Sequence, residues 1–192
     1  FHFRQSVTHP LASVVNEGEI TAAPGGFVSF IGPDVMNRGL ITARLGTIAL
    51  GAAEGATLDI RGDGLINLVL TDPVRDSLIG GASNLGTLRA QGGYITLSAR
   101  VASDVLRTVV NNQGVVEATS LVEQGGVIRL VGEQDGIVLN QGTLDASAAE
   151  AGAKPGSVLL AGERVGHAGT ILAKGADRAP GGRVEVTSTE KT

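Results

Sequence analysis

Two phrases decide the fold: Asn-Gln-Gly-Val-Val-Glu-Ala at residues 112–118 and Gly-Gly-Val-Ile-Arg-Leu at residues 125–130. Copies with the same leading Asn-x-Gly and a later Gly-Gly or Pro-Gly occupy residues 84–97 and 140–160. A two-part phrase that recurs at nearly fixed spacing is typical of a solenoid, in which each copy forms one coil. The sequence therefore predicts an elongated repeat domain and not a globular one.

The spacing of the leading residues sets the number of coils. Further copies start at Asn16 and Asn37, and a last copy starts at His167, where His replaces Asn. Successive starts lie 21, 47, 28, 28 and 27 residues apart. The 47-residue interval is about two periods, so residues 58–70, which alternate well but lack the Asn, are predicted to form a degenerate coil. This count gives about seven coils.

Each period contains three short apolar segments bounded by Gly or Asn, in which apolar residues alternate by two. Frequent Gly disfavours helix in every window. The prediction is an all-β, single-stranded parallel β-helix with three short strands per coil, forming one solenoid domain over residues 1–192. Residues 1–13 are expected to be an irregular start, and residues 187–192 a frayed tail. Two stretches, 72–83 and 146–154, are predicted to be loop insertions.

Stacked coils bring equivalent side chains together. One interior ladder is predicted from the first phrase and another from the second: Ile20, Ile41, Leu88, Val116, Leu144, Ile171; and Val28, Ile48, Ile95, Ile128, Val158, Val184. The leading residues are predicted to be structural corner residues: Asn16, Asn37, Asn84, Asn112, Asn140 and His167. Asn tolerates the left-handed region and hydrogen-bonds along a stack of its copies. The following Gly is predicted to supply a turn with positive φ.

Composition excludes several classes of protein. The net charge is −4 with no basic stripe, which disfavours nucleic-acid binding, and no apolar run is long enough to span a membrane. Absence of Cys excludes disulfides and thiolate metal sites. Hydrophobic residues reach 42%, too many for a disordered Gly-rich linker. The chain begins with Phe1 and is interpreted as part of something longer.

The phrases Asn-x-Gly-x-Ile-x-Ala and Gly-Gly-x-Val-x-Leu resemble the filamentous haemagglutinin family, the exoproteins of bacterial two-partner secretion. The similarity is closest over residues 35–53, continues through 62–66 and 109–118, and covers roughly residues 14–186. It implies a right-handed β-helix at the surface of, or outside, a Gram-negative bacterium. It also implies an outer-membrane transporter as partner, and a role in adhesion, aggregation or toxin display.

Few residues suggest a chemical site. Arg61, Gly62 and Asp63 form a candidate adhesive tripeptide for integrin binding, although Gly-Asp-Gly also serves as a tight turn. Arg89 and Glu117 are a candidate ion pair on one outward face, although a solvated stripe of charges is the favoured interpretation. The three His residues are far apart in sequence, and the Gly-Gly phrases lack the Asp of calcium-binding β-rolls, so no metal site, cofactor or catalytic residue is predicted.

Two functional hypotheses remain. The first is a structural or adhesive segment of a surface exoprotein that contacts a host or neighbouring cell and associates end to end through uncapped strand edges. The second is a β-helix enzyme that processes polysaccharide. That enzyme would need clustered carboxylates and aromatic residues, whereas Tyr94 is the single tyrosine and Trp is absent. The first hypothesis is therefore favoured, and the second predicts a groove with convergent carboxylates beside Tyr94 or in the two loop insertions.

Overall fold

The computed structural model describes residues 1–5, 12–60, 66–74, 81–102, 108–121, 125–133 and 136–189. Within these ranges every regular element is a β-strand, and the strands form three parallel sheets and one antiparallel sheet. The chain passes from sheet to sheet in order, so three consecutive strands make one coil. An all-β parallel β-helix with three strands per coil is therefore confirmed.

The first parallel sheet contains the strands that end at the leading Asn or His. In order along the chain they are β2 (Ser13–Asn16), β5 (Asp34–Asn37), β10 (Gly81–Asn84), β13 (Thr108–Asn112), β16 (Ile137–Asn140) and β19 (Arg164–His167).

The second parallel sheet contains three-residue strands that follow the Asn-x-Gly corner. They are β3 (Glu19–Thr21), β6 (Leu40–Thr42), β11 (Thr87–Arg89), β14 (Val115–Glu117), β17 (Thr143–Asp145) and β20 (Thr170–Leu172).

The third parallel sheet contains the longer strands that follow the second glycine phrase. They are β4 (Phe27–Gly32), β7 (Thr47–Ala52), β12 (Tyr94–Arg100), β15 (Val127–Glu133), β18 (Ser157–Gly162) and β21 (Arg183–Ser188).

Both predicted interior ladders are confirmed by the strand register. Ile41 pairs with Ile20 on one side and Leu88 on the other, and the series continues through Val116 and Leu144 to Ile171. The ladder from Val28 to Val184 is likewise continuous. Members in the middle coils are fully buried, and they belong to one aliphatic core that runs along the solenoid. Because each coil contacts only its neighbours, this core grows with every coil.

The predicted degenerate coil at residues 58–70 is wrong, and so is the count of seven coils. Strands β8 (Gly55–Ile60) and β9 (Ile66–Asp72) pair with each other antiparallel, and β1 (His2–Arg4) pairs antiparallel with β8. We call β1, β8 and β9 the hairpin sheet. Asn37 pairs directly with Asn84, so each parallel sheet holds six strands in the part of the chain described. Apolar and polar residues alternate by two in a coil strand and in a hairpin strand alike. The sequence pattern therefore could not distinguish the two.

The two ends of the chain also differ from expectation. The start was predicted to be irregular, yet residues 2–4 form the edge strand of the hairpin sheet. The tail was predicted to fray from residue 187, yet Thr187 and Ser188 pair with Ala161 and Gly162 at the end of β21. In the predicted loop insertion at residues 146–154 no strand is assigned. Of residues 72–83, Asp72 ends β9 and residues 81–83 belong to β10, while residues 75–80 lie outside the described residues.

Candidate functional site

The leading Asn residues form a hydrogen-bonded ladder along one corner of the solenoid. Each side-chain Nδ2 donates to the Oδ1 of the Asn in the next coil at 2.8 Å, from Asn16 through to Asn140. Each Nδ2 also lies 3.1–3.4 Å from the carbonyl oxygen of the glycine two residues later in its own coil. At the last rung Asn140 Nδ2 lies 3.0 Å from His167 Nδ1. Because the Asn140 Nδ2 group can only donate, His167 Nδ1 must be unprotonated in order to accept this hydrogen bond.

The corner glycine has a different role from the one predicted. Gly39, Gly86, Gly114 and Gly142 do not have positive φ, and neither do the leading Asn residues. Instead, a Cβ built on each of these glycines would lie 2.0–2.1 Å from the carbonyl oxygen of the corner glycine in the preceding coil. Gly18, in the first coil, meets nothing within 4 Å. The glycines are thus required by close backbone approach between coils, and not by a left-handed turn.

A groove lies between the third parallel sheet and the hairpin sheet. Its volume is about 280 Å³. Outward residues of β7, β12 and β15 form its floor and β9 forms one wall: Thr47, Ala49, Tyr94, Thr96, Ser98, Arg129, Val131, Glu133, Asn67, Leu68. The lining is polar for a solenoid face, and it contains the single tyrosine of the chain. Sequence reasoning singled out Tyr94 but missed the wall, because residues 58–70, which include Asn67 and Leu68, were predicted to form a coil.

An arginine connects the hairpin sheet to the solenoid beside this groove. Arg100 Nη1 donates to Leu70 O at 2.9 Å and lies 3.7 Å from Glu133 Oε2. Burial raises the pKa of Glu133, and the neighbouring Arg100 guanidinium acts in the opposite direction. Burial therefore outweighs the ion pair, so this carboxylate is held in a partly desolvated position.

The first coil carries an apolar cavity that sequence reasoning did not find. Its volume is about 440 Å³, and its lining includes all four phenylalanines of the chain: Phe1, Phe3, Phe27, Phe30. The side-chain oxygen of Ser29, which also lines the cavity, is buried without a hydrogen-bond partner among the described residues. Phe1 and Phe27 remain 76% and 42% exposed. An exposed apolar surface of this kind often marks a contact site.

The other predicted residues fall in scattered places. The tripeptide Arg61, Gly62 and Asp63 lies between β8 and β9 but outside the described residues, so it remains a prediction. Arg89 Nε and Glu117 Oε2 are 3.1 Å apart on the outward face, in the candidate pairing that the repeat indicated. His2 Nδ1 lies 3.0 Å from Thr57 Oγ1 across β1 and β8, far along the chain from His167.

The described residues contain neither a metal-binding cluster nor a membrane-spanning helix. No group of three or more His, Cys, Asp or Glu side chains is placed to hold a metal ion there. Among the same residues, none of the elements is a helix of the length and apolarity needed to cross a bilayer.

Three six-stranded parallel sheets with an antiparallel sheet beside them form a parallel β-helix. The chain is similar to the crystal structure of the HMW1 secretion domain from Haemophilus influenzae, with a TM-score of 0.77 and 29% sequence identity. The similarity covers 97% of this chain and 46% of that chain, so this chain spans about half of its length. No family model matches the chain, and no curated protein matches it. The resemblance to filamentous haemagglutinin-type exoproteins is thus confirmed in the structure.

Proposed function

We propose that this chain is the secretion module of a two-partner-secretion exoprotein, recognised by an outer-membrane transporter and displayed at or beyond the surface of a Gram-negative bacterium. One observation carries the proposal: 97% of the chain is similar to a solved secretion domain at 29% identity. Fold alone would be weak support, because β-helices carry many functions. Here the matched structure is a secretion domain, and not an enzyme.

The apolar cavity of the first coil supplies a surface for that partner. Phe1, Phe3 and Phe27 are exposed there, although the chain has few aromatics. Large apolar side chains at a protein surface cost solubility unless a partner covers them. We therefore assign the transporter contact to this end of the solenoid, with Phe27 near its centre.

An export assay tests the proposal. The chain, preceded by a secretory signal and followed by a reporter, is expressed in a Gram-negative host with and without the partner transporter. The reporter is expected in the medium only when the transporter is present. Phe27→Ser should reduce export several-fold, whereas Val69→Ser, a matched exposed position on β9, should not. Equal reporter in the medium with and without the transporter would refute the assignment.

Adhesion, aggregation or fibre assembly is proposed as the role of the exported protein. Val184 and Val186 on β21 are about half exposed, so a further coil or a second copy packed there would cover apolar surface. Purified chain at high concentration should then form end-to-end assemblies in electron micrographs. Monomers at every concentration would contradict the fibre variant while leaving the export proposal intact.

The polysaccharide-processing alternative has less support. It predicted convergent carboxylates beside Tyr94 or in the loop insertions at residues 72–83 and 146–154. In the groove that contains Tyr94, Glu133 is the sole carboxylate among the described lining residues. Glycoside hydrolysis uses a pair of carboxyl groups on opposite sides of the scissile bond. The groove therefore supports binding better than turnover.

A further inference from the structure

The groove beneath the hairpin sheet is built by register and not by chance exposure. Ile95 and Leu97 of β12 face the core, so Tyr94, Thr96 and Ser98 face outward. Pairing along the third sheet sets Thr96 between Ala49 and Arg129. Outward side chains of three neighbouring strands thus form a continuous floor.

The hairpin sheet turns this floor into a groove. Leu68 packs closely over the solenoid, since a Cβ on Gly51 would lie 2.5 Å from its Cδ2. Arg100 Nη1, on β12 of the solenoid, donates a hydrogen bond to Leu70 O on β9. Thr47, Ala49 and Ser98 are consequently buried although they face outward. A wall fixed by packing and by hydrogen bonding keeps the groove formed before any ligand arrives, which lowers the cost of binding.

The lining selects a class of ligand. The groove is lined by the ring of Tyr94, which is 39% exposed, and by the hydroxyl, amide and guanidinium groups of Thr96, Asn67 and Arg129. Glu133 lies at the far end of the groove, because it pairs with Arg100 at the other end of the strand from Tyr94. These groups offer both donors and acceptors. Glu133 pairs with Arg100 at that far end, so a ligand beside Tyr94 meets one charged side chain, Arg129, among neutral hydrogen-bonding groups. A neutral molecule with many hydroxyls and one apolar face satisfies all of these conditions.

The volume of the groove narrows the class of ligand further. The volume of about 280 Å³ lies at the lower limit of small-molecule pockets, about 300 Å³. It suits a single ring and excludes a folded partner. We propose that this groove binds one neutral sugar unit of a glycan, with its apolar face on Tyr94 and its hydroxyls on Thr96, Asn67 and Arg129.

Binding at this site does not depend on export. It occurs without bond cleavage, since Glu133 has no second carboxylate opposite it among the described lining residues. It is lined by different residues from the apolar cavity, although the two lie on neighbouring strands of the third sheet. The inference therefore stands or fails separately from the proposed function.

Nuclear magnetic resonance titration of the full chain with neutral methyl glycosides (glucoside, galactoside, mannoside and N-acetylglucosaminide) tests the site. At least one glycoside is expected to shift the amide signals of Tyr94, Thr96 and Arg129, with a Kd in the millimolar range. Tyr94→Ala should weaken binding at least tenfold, equivalent to about 1.4 kcal/mol, whereas Tyr94→Phe keeps the ring and should change Kd by less than about threefold. Circular dichroism confirms that each variant is folded.

Phe27→Ala provides a matched control. Phe27 occupies the same register column as Tyr94, through Thr47, and is also an exposed aromatic, but it does not line the groove. Its replacement should leave Kd unchanged. Absence of shifts with every glycoside, or equal losses in Tyr94→Ala and Phe27→Ala, would overturn the proposal. Release of reducing sugar from a glycan would overturn the assignment of a non-catalytic site.

Discussion

Asn112→Ala tests whether the corner ladder stabilises the solenoid. Asn112 is fully buried, donates to Asn140 Oδ1 and accepts from Asn84 Nδ2, both at 2.8 Å. Its removal leaves Asn140 Oδ1 without the donor it has in the ladder, while Asn84 Nδ2 retains weaker contacts with carbonyl oxygens at 3.3 Å. Leaving a buried polar group unpaired costs about 1–3 kcal/mol. With the second bond also lost, we expect a fall of about 2–4 kcal/mol in the free energy of unfolding.

The end of the ladder gives the internal control. Asn16 makes one ladder bond, to Asn37, so Asn16→Ala should cost about half as much. Urea unfolding followed by circular dichroism measures both variants, since a domain of 5–15 kcal/mol stability tolerates either loss. Equal costs for the two variants, or a cost for Asn112→Ala below about 0.5 kcal/mol, would refute the ladder reasoning.

Asn112→Asp separates hydrogen bonding from side-chain volume. The carboxylate has nearly the same shape, accepts from Asn84, but has no hydrogen to donate to Asn140 Oδ1. Two acceptors then face each other in a buried corner. The variant should be destabilised at neutral pH and should recover as acid protonates the new carboxyl group. A pH-independent loss would indicate that volume, and not the ladder, sets the cost.

Three further predictions follow from the geometry. Gly114→Ala should destabilise the chain by several kcal/mol, because its Cβ would meet backbone at 2.1 Å, whereas Gly18→Ala, which meets nothing, should be nearly neutral in urea unfolding. His167→Asn should raise Tm slightly, because an amide oxygen accepts the last ladder bond without depending on a tautomer. Glu133→Gln should stabilise the chain at neutral pH. Burial raises the pKa of Glu133 despite the neighbouring Arg100, so the ionised carboxylate destabilises the folded chain above that pKa. The difference between the variant and the original chain should disappear in acid, where the carboxyl group is protonated.

Each of these predictions has an outcome that contradicts it. Similar losses for Gly114→Ala and Gly18→Ala would remove the close-approach explanation of the corner glycines. A lower Tm for His167→Asn would mean that the imidazole makes contacts an amide cannot replace. If Glu133→Gln lowered stability equally at neutral and acid pH, packing and not desolvation would govern this position.

Local periodicity determined much of this protein. Alternation by two, bounded by Asn-x-Gly and Gly-Gly, was enough to predict three strands per coil and both interior ladders from Ile20 to Ile171 and from Val28 to Val184. These features repeat in every coil, so each copy supports the interpretation of the next. The same redundancy explains why Arg89 and Glu117 could be recognised as a candidate pair from the sequence.

Only the tertiary structure decided which strand pairs with which partner. Strands β8 and β9 alternate like coil strands but pair antiparallel with each other beside the solenoid, and β9 forms a wall of the groove that contains Tyr94. It also decided why the corner glycines are needed, since the clash that excludes a Cβ comes from a residue about one coil away. Sequence pattern records which face of a strand is apolar. The partner that covers that face is set by packing between residues distant in the chain, and a single pattern is compatible with either partner.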